Sequence, residues 1–161
     1  MGINVIGHIP FALSTEYIIE SGQNLIAHSE EVMKAARGDY SKENIDYLAG
    51  IIAESKILIS PTLVTSRNII STFDNLEEKL KAAEIQYLHP MSLGIRAFIN
   101  NMYLSMPEEN RQWIRQGFEQ FQLPFIKALY DAGVMIKGQY FSKEDIQNEL
   151  DNISEHYTAI K

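Results

Sequence analysis

The chain has 161 residues, of which 45% are hydrophobic and 22% charged, a composition that excludes a disordered protein and is sufficient for one packed domain. A complete eight-stranded β/α barrel needs about 250 residues, so the length excludes one. With 14 basic and 21 acidic residues the net charge is −7, which disfavours a nucleic-acid-binding protein, and the absence of cysteine excludes disulfides and thiolate metal sites.

The first sixty residues alternate short apolar runs with helical patterns. Strands are predicted over residues 3–7, 24–27 and 56–60, and helices over residues 14–21 and 29–37 and after Ser41, which can cap the third helix. Because strands alternate with helices, we expect right-handed crossovers and a parallel sheet. The strands are apolar on both faces, which is typical of a parallel sheet covered on both sides.

The pattern changes after Pro61, and residues 65–132 are predicted to be almost entirely helical. Asp74 and Ser105 each precede a glutamate by three residues, the spacing of a capping box. Pro124 is expected to start a new turn or to kink its helix. A fourth strand over residues 134–136 and an amphipathic helix over residues 142–157 complete the prediction.

Two histidines follow neighbouring predicted strands. His8 comes directly after the first strand and His28 directly after the second. The carboxyl ends of parallel strands lie at one edge of a sheet, about 4.8 Å apart, and ligands bind at that edge. Two imidazoles there could share one metal ion, at about 2.1 Å from each nitrogen for zinc. The alternative is that both are loop or capping residues, since the spacing lacks a local zinc signature such as His-Glu-x-x-His.

Two further residues are candidates for contacts with a substrate. Thr62 follows the third strand and points to the same edge as the histidines, although it could equally cap the segment after it. His89 lies in the helical region and could contact a substrate if that region folds over the site, or it could be an exposed loop residue. Glu30 and Glu31 could orient the His28 imidazole, but we prefer the interpretation that they complement the dipole of the helix they begin.

The stretch that contains both histidines resembles a known family. It reads Gly7-His8-Ile9-Pro10-Phe11, and then Ile19-Glu20-Ser21-Gly22-Gln23-Asn24-Leu25-Ile26-Ala27-His28-Ser29-Glu30. This pattern is similar to the metal-dependent amidohydrolase superfamily, and closest to its imidazolonepropionase-like branch, where two consecutive barrel strands end in metal-binding histidines. Pro61-Thr62-Leu63 resembles the family's "PTL" after strand seven, and residues 86–90 resemble the start of a lid-like insertion. The resemblance covers residues 2–135.

The resemblance implies an α/β fold, namely a partial β/α barrel of the TIM type that comprises about strands five to seven or eight with a helical insertion. Residues 2–64 would form the core with the paired histidines, residues 65–122 the lid-like insertion, and residues 123–161 the final helix and strand with the C-terminal helix. His8 and His28 match metal ligands. The implied cofactor is a divalent metal, zinc first, with iron and manganese as alternatives. The implied activity is hydrolysis of carbon–nitrogen bonds in a small-molecule substrate by metal-activated water.

The chain departs from the family pattern in its other metal ligands. The His-x-His motif of strand one, the bridging lysine or glutamate of strand four and the aspartate expected after Val134 are all missing from it. We therefore expect a catalytically incomplete fragment that self-associates or requires the missing half of a barrel, because half a barrel exposes open sheet edges. The alternative is a non-catalytic remnant that acts as a protein-interaction module.

The remaining expectations concern location. No apolar run approaches the roughly 20 residues of a membrane-spanning helix. The first residues have neither the basic nor the long apolar region of a signal peptide. The sequence does not assign a cellular location.

Overall fold

A small parallel sheet organises the N-terminal part of the chain in the computed structural model, which describes residues 3–81, 85 and 87–134. Its strands are β1 (Ile6–Gly7), β2 (Leu25–Ile26) and β3 (Leu58–Ile59), in the order β1-β2-β3. Gly7, Ile26 and Ile59 are in register, and both strand pairs are parallel. The predicted parallel pairing is therefore confirmed, although each strand is shorter than predicted.

Three helices connect the strands. Helix α1 (Thr15–Glu20) joins β1 to β2, and helices α2 (Ser29–Ala35) and α3 (Lys42–Ser55) join β2 to β3. The Ser41 hydroxyl accepts a hydrogen bond from the backbone N–H of Asn44, so the predicted cap of α3 is confirmed. Helix α3 ends at Lys56, which adopts the left-handed conformation.

The second half of the described chain is helical, as predicted. It comprises α4 (Leu63–Leu80), α5 (Pro90–Leu104), α6 (Glu108–Gln116), a π-helix (Gly117–Gln122) and α7 (Leu123–Asp131). The two capping boxes are wrong. Helix α4 bends at Asn75, whose side chain, rather than that of Asp74, accepts from the Glu78 N–H, and α6 is preceded by Pro107 instead of Ser105. Pro124 lies in the first turn of α7, as expected.

The main hydrophobic core lies on one face of the sheet. Ile26 and Ile59 are fully buried, and they belong to one cluster with Val32 of α2, Ile52 of α3 and Phe125 of α7. The opposite face carries the neighbouring residue of each strand, namely Ile6, Leu25 and Leu58. Ile6 is 66% exposed, and Leu25 and Leu58 are half-buried. The sheet is thus covered mainly on one side, and the prediction of a doubly covered sheet is wrong.

The predicted fold class, a partial TIM-type barrel of strands five to eight, is also wrong. Helices make up 67% of the described residues, whereas each of the three strands has only two residues. The structure is therefore mainly helical with a small parallel sheet, and it is not part of a barrel. Two side chains add hydrogen bonds to the backbone of the sheet. The side-chain amide of Gln23 donates to the carbonyls of Gly7 and Leu25 at 2.9 and 2.8 Å, and the Gly7 carbonyl also accepts from the Ala27 N–H of the neighbouring strand. The side-chain oxygen of Asn24 accepts from the Val5 N–H at 2.8 Å, so this N–H is not free to extend the ladder.

The predicted fourth strand and C-terminal helix lie mostly or wholly outside the described residues. Val134 is not in a strand; residues 135 and 136 of the predicted fourth strand, and the whole predicted C-terminal helix, lie outside the described residues. Among the residues that the structure describes, none of the helices has both the length and the apolar character needed to cross a membrane.

Candidate functional site

The imidazoles of His8 and His28 lie side by side at the carboxyl edge of the sheet. Gly7 and Ile26 are paired in register, so the chain leaves the two strands at the same level. The ring centroids are 4.9 Å apart and the ring planes are inclined by 50°. The side chain of His8 is 63% exposed, whereas His28 is half-buried, so solvent reaches the pair from the His8 side.

Thr62 completes the edge from the third strand. Its hydroxyl Oγ1 lies 3.0 Å from Nδ1 of His28. Thr62 occupies the N-cap position of α4, but its side chain makes no capping hydrogen bond, so its hydroxyl faces the histidine instead. Its φ of 48° places a β-branched residue in the left-handed region, which costs about 1–2 kcal/mol and is most common where a site requires it.

Glu31 contacts the other histidine of the pair, His8, rather than His28, which the sequence suggested as its possible partner. Its carboxylate is buried, and one oxygen lies 3.2 Å from Nδ1 of His8 and 3.0 Å from Nζ of Lys34. Lys34 also reaches Glu30 at 2.9 Å. The available signal was positional: Glu31 follows the histidine of β2 by one helical turn and reaches across to the histidine of β1. Our preference for a dipole role alone overlooked that contact.

The charges at this edge are stabilised by one another. Burial by itself would raise the pKa of Glu31, but hydrogen bonds from Lys34 and His8, and their charges, outweigh it and lower that pKa. Burial by itself would lower the pKa of Lys34, but Glu30 and Glu31 outweigh it and raise that pKa. The Glu31 carboxylate contacts Nδ1 of His8 and thereby orients the ring, and Nε2 is the nitrogen on the other side of the ring from this contact.

His89 does not belong to this group. It is the N-cap residue of α5, and its Nδ1 accepts a hydrogen bond from the backbone N–H of Met91 at 3.2 Å. The side chain is exposed, and no described contact joins it to His8 or His28. The local capping role accounts for this residue, and the predicted substrate contact gains no support from its position.

The donor set fits a metal ion only in part. Two imidazoles are ligands that zinc and other transition metals prefer, and the carboxylate behind His8 is the usual support for such a ligand. Within residues 3–81, 85 and 87–134, however, no group of three or more His, Cys, Asp or Glu side chains could hold a metal ion together. A catalytic zinc site commonly has three protein ligands and a water. The described residues therefore bring together two of the donors that such a site would need, and not the third.

Comparison of the chain with protein-family models, curated proteins and solved structures finds no match. The similarity to amidohydrolases consequently rests on the sequence motifs alone, and it stays a prediction.

Proposed function

We propose that this chain is a metal-binding module of a hydrolase that acts on carbon–nitrogen bonds, and that its active site is incomplete without further ligands. The observation that supports this proposal is the pair of imidazoles at the ends of two adjacent parallel strands, 4.9 Å apart. That arrangement places two metal-ligand side chains at the edge of the sheet where α/β proteins bind ligands.

Each residue of the site has a distinct part in this proposal. His8 and His28 would hold a divalent ion through their outer ring nitrogens, and the metal would supply a bound water of lowered pKa for hydrolysis. Glu31 would orient the His8 ring through the contact of its carboxylate with Nδ1, and Thr62 would orient the His28 ring through its hydroxyl. Among the described residues, no third His, Cys, Asp or Glu side chain joins the two histidines in a group that could hold a metal ion.

The test is metal binding by the purified chain. Zn²⁺ is titrated by calorimetry into the wild type and into His8→Ala, His28→Ala and the matched control His89→Ala, which removes an exposed histidine away from the pair. We expect both site substitutions to weaken binding at least tenfold and the control to leave it unchanged. If neither site substitution weakens binding, the ligand assignment is wrong. Turnover of imide, lactam or dipeptide substrates by this chain alone would refute the incompleteness of the site.

A second candidate function is association of the chain with itself through β1. In the described part of the sheet β1 has a partner on one side only, and its segment exposes three large apolar side chains, Ile3, Val5 and Ile6. An open apolar edge strand is a template for pairing with another chain. Sedimentation at micromolar concentration should show a dimer that Ile6→Lys converts to monomer, whereas Val64→Lys, at an exposed position of α4, leaves it intact. A monomeric wild type contradicts this candidate.

A further inference from the structure

A cavity of about 180 Å³ lies away from the histidine pair, between α2, α4, α6 and the π-helix. Its apolar walls include Met33, Ile69 and Ile114, and Trp113 stands at its rim with 43% of its surface exposed. The polar lining comes from Gln122 and Ser66, both almost fully buried, and from the ion pair of Lys34 with Glu30.

The side-chain amide of Gln122 is a buried donor with a weak partner. Only 3% of Gln122 is exposed, and its Oε1 lies 3.2 and 3.0 Å from the hydroxyls of Ser29 and Ser66. Among the described residues, the partner of its Nε2 is the thioether sulfur of Met33 at 3.6 Å. An amide nitrogen carries two donor hydrogens, and a thioether is a poor acceptor, so the wall of the cavity retains hydrogen-bonding capacity.

The backbone around the cavity is specialised. Gln122 ends a π-helix, a rare conformation that occurs frequently at functional sites. The same π-helix begins at Gly117, where an added Cβ would lie only 2.2 Å from Sδ of Met33. Glycine therefore allows the Met33 side chain to lie against the π-helix, beside the amide that it contacts.

We propose that this cavity is a binding site for a small uncharged molecule, namely a single ring that carries one carbonyl-type acceptor. A cavity of about 150 Å³ is known to admit benzene, so this volume suits one ring with a small substituent. The methionine, isoleucine and aromatic walls favour a ring, and Nε2 of Gln122 would donate to the carbonyl oxygen. Lys34 is already paired with Glu30 and Glu31, so an anionic ligand finds no free cation at the cavity to offset its loss of hydration.

Benzamide and benzoate are suitable probes because they have nearly the same shape and differ in charge. Trp113 is the only tryptophan of the chain, so its single indole N–H resonance in an ¹H–¹⁵N spectrum reports binding at the rim. We expect benzamide to shift this resonance with saturation and to bind at least tenfold more tightly than benzoate. The proposal is overturned if the two probes bind equally, or if benzamide at about 10 mM causes no shift. A concentration of about this order suffices for a fragment-sized ligand.

Two variants of α4 distinguish the cavity from the surface. Ile69→Phe places a larger side chain in the wall of the cavity and should abolish the benzamide shift, whereas Val64→Phe adds more bulk, but at an exposed position, and should preserve it. The amide spectrum of each variant verifies that it is folded. Identical behaviour of the two variants refutes the site. Ile69→Phe should bind Zn²⁺ as the wild type does, because Ile69 is not among the residues of the histidine site, so this proposal and the metal-site proposal can fail separately.

Discussion

The left-handed conformation of Thr62 leads to a prediction that separates backbone strain from site chemistry. Thr62→Val removes the hydroxyl that faces His28 but keeps a β-branched side chain at φ 48°. Thr62→Gly removes the same hydroxyl and also relieves the strain, because glycine adopts this conformation freely. The difference between the two variants therefore reports the relief of strain less the entropic cost of glycine.

The magnitudes follow from the structure. Loss of one neutral hydrogen bond at a half-buried position should lower the free energy of unfolding of Thr62→Val by about 1 kcal/mol. In Thr62→Gly, relief of the left-handed strain should raise the free energy of unfolding by about 1–2 kcal/mol. The greater entropy of glycine in the unfolded chain offsets about 0.5–1 kcal/mol of this gain. We therefore expect Thr62→Gly to be more stable than Thr62→Val by about 1 kcal/mol, and close to the wild type.

Urea denaturation followed by circular dichroism measures these stabilities, and Zn²⁺ titration of the same samples measures the site. Both Thr62 variants should lose zinc affinity about tenfold, since the group that orients His28 is gone. Lys56→Gly is the matched control, because Lys56 is also left-handed, with φ 59°, but caps α3 away from the site. It should gain stability without loss of affinity. A Thr62→Gly variant less stable than Thr62→Val would refute the strain argument.

Three further predictions concern stability. Gly117→Ala should lower the free energy of unfolding by about 1–3 kcal/mol because its Cβ would meet the buried Met33. Gly50→Ala in α3, whose Cβ meets nothing within 4 Å, should raise it by about 0.5–1 kcal/mol. Urea titrations in which both variants change stability in the same direction contradict this. The lowered pKa of Glu31 means that its charge stabilises the fold above the ordinary value of 4.5, and that this contribution is lost as pH falls through the lowered pKa. Wild type should thus exceed Glu31→Gln in stability at pH 7, and the two should converge in acid; a pH-independent difference in melting temperature argues against it. Ser41→Ala should cost about 1 kcal/mol by loss of the α3 cap, and an unchanged urea midpoint would exclude that role.

Features that depend on local sequence could be predicted, and those that depend on distant side chains could not. The cap of α3 was predictable because Ser41 and its partner are three residues apart. The parallel order was predictable from the alternation of strands and helices, and the register of β1 with β2 then brings His8 next to His28. Each of these inferences needs only the nearest neighbours along the chain or across one strand pair.

The barrel prediction is wrong because it used the pattern of apolar residues, and that pattern does not show which side chains bind the backbone of the strands. The side chain of Asn24 takes the Val5 N–H that a longer ladder would need, and the side chain of Gln23 binds carbonyls of both neighbouring strands. The contact of Glu31 with His8 depends on how α2 leaves the sheet, and the close approach of Met33 to Gly117 depends on how α2 packs against the π-helix. These are tertiary effects, so periodicity along the sequence cannot reveal them.

Ser29 explains how the strained Thr62 is maintained. A conformation that costs 1–2 kcal/mol persists only where surrounding contacts determine it. Ser29, directly after His28, provides them: its hydroxyl donates to the carbonyl of Pro61 at 2.7 Å, and its backbone N–H lies within 3.5 Å of the same oxygen. A hydroxyl has one hydrogen, and the 2.7 Å contact outcompetes the 3.2 Å contact with Gln122. Ser29 therefore ties the turn that carries Thr62 to the start of α2, and Ser66, at 3.0 Å, is the stronger hydroxyl donor to Oε1 of Gln122.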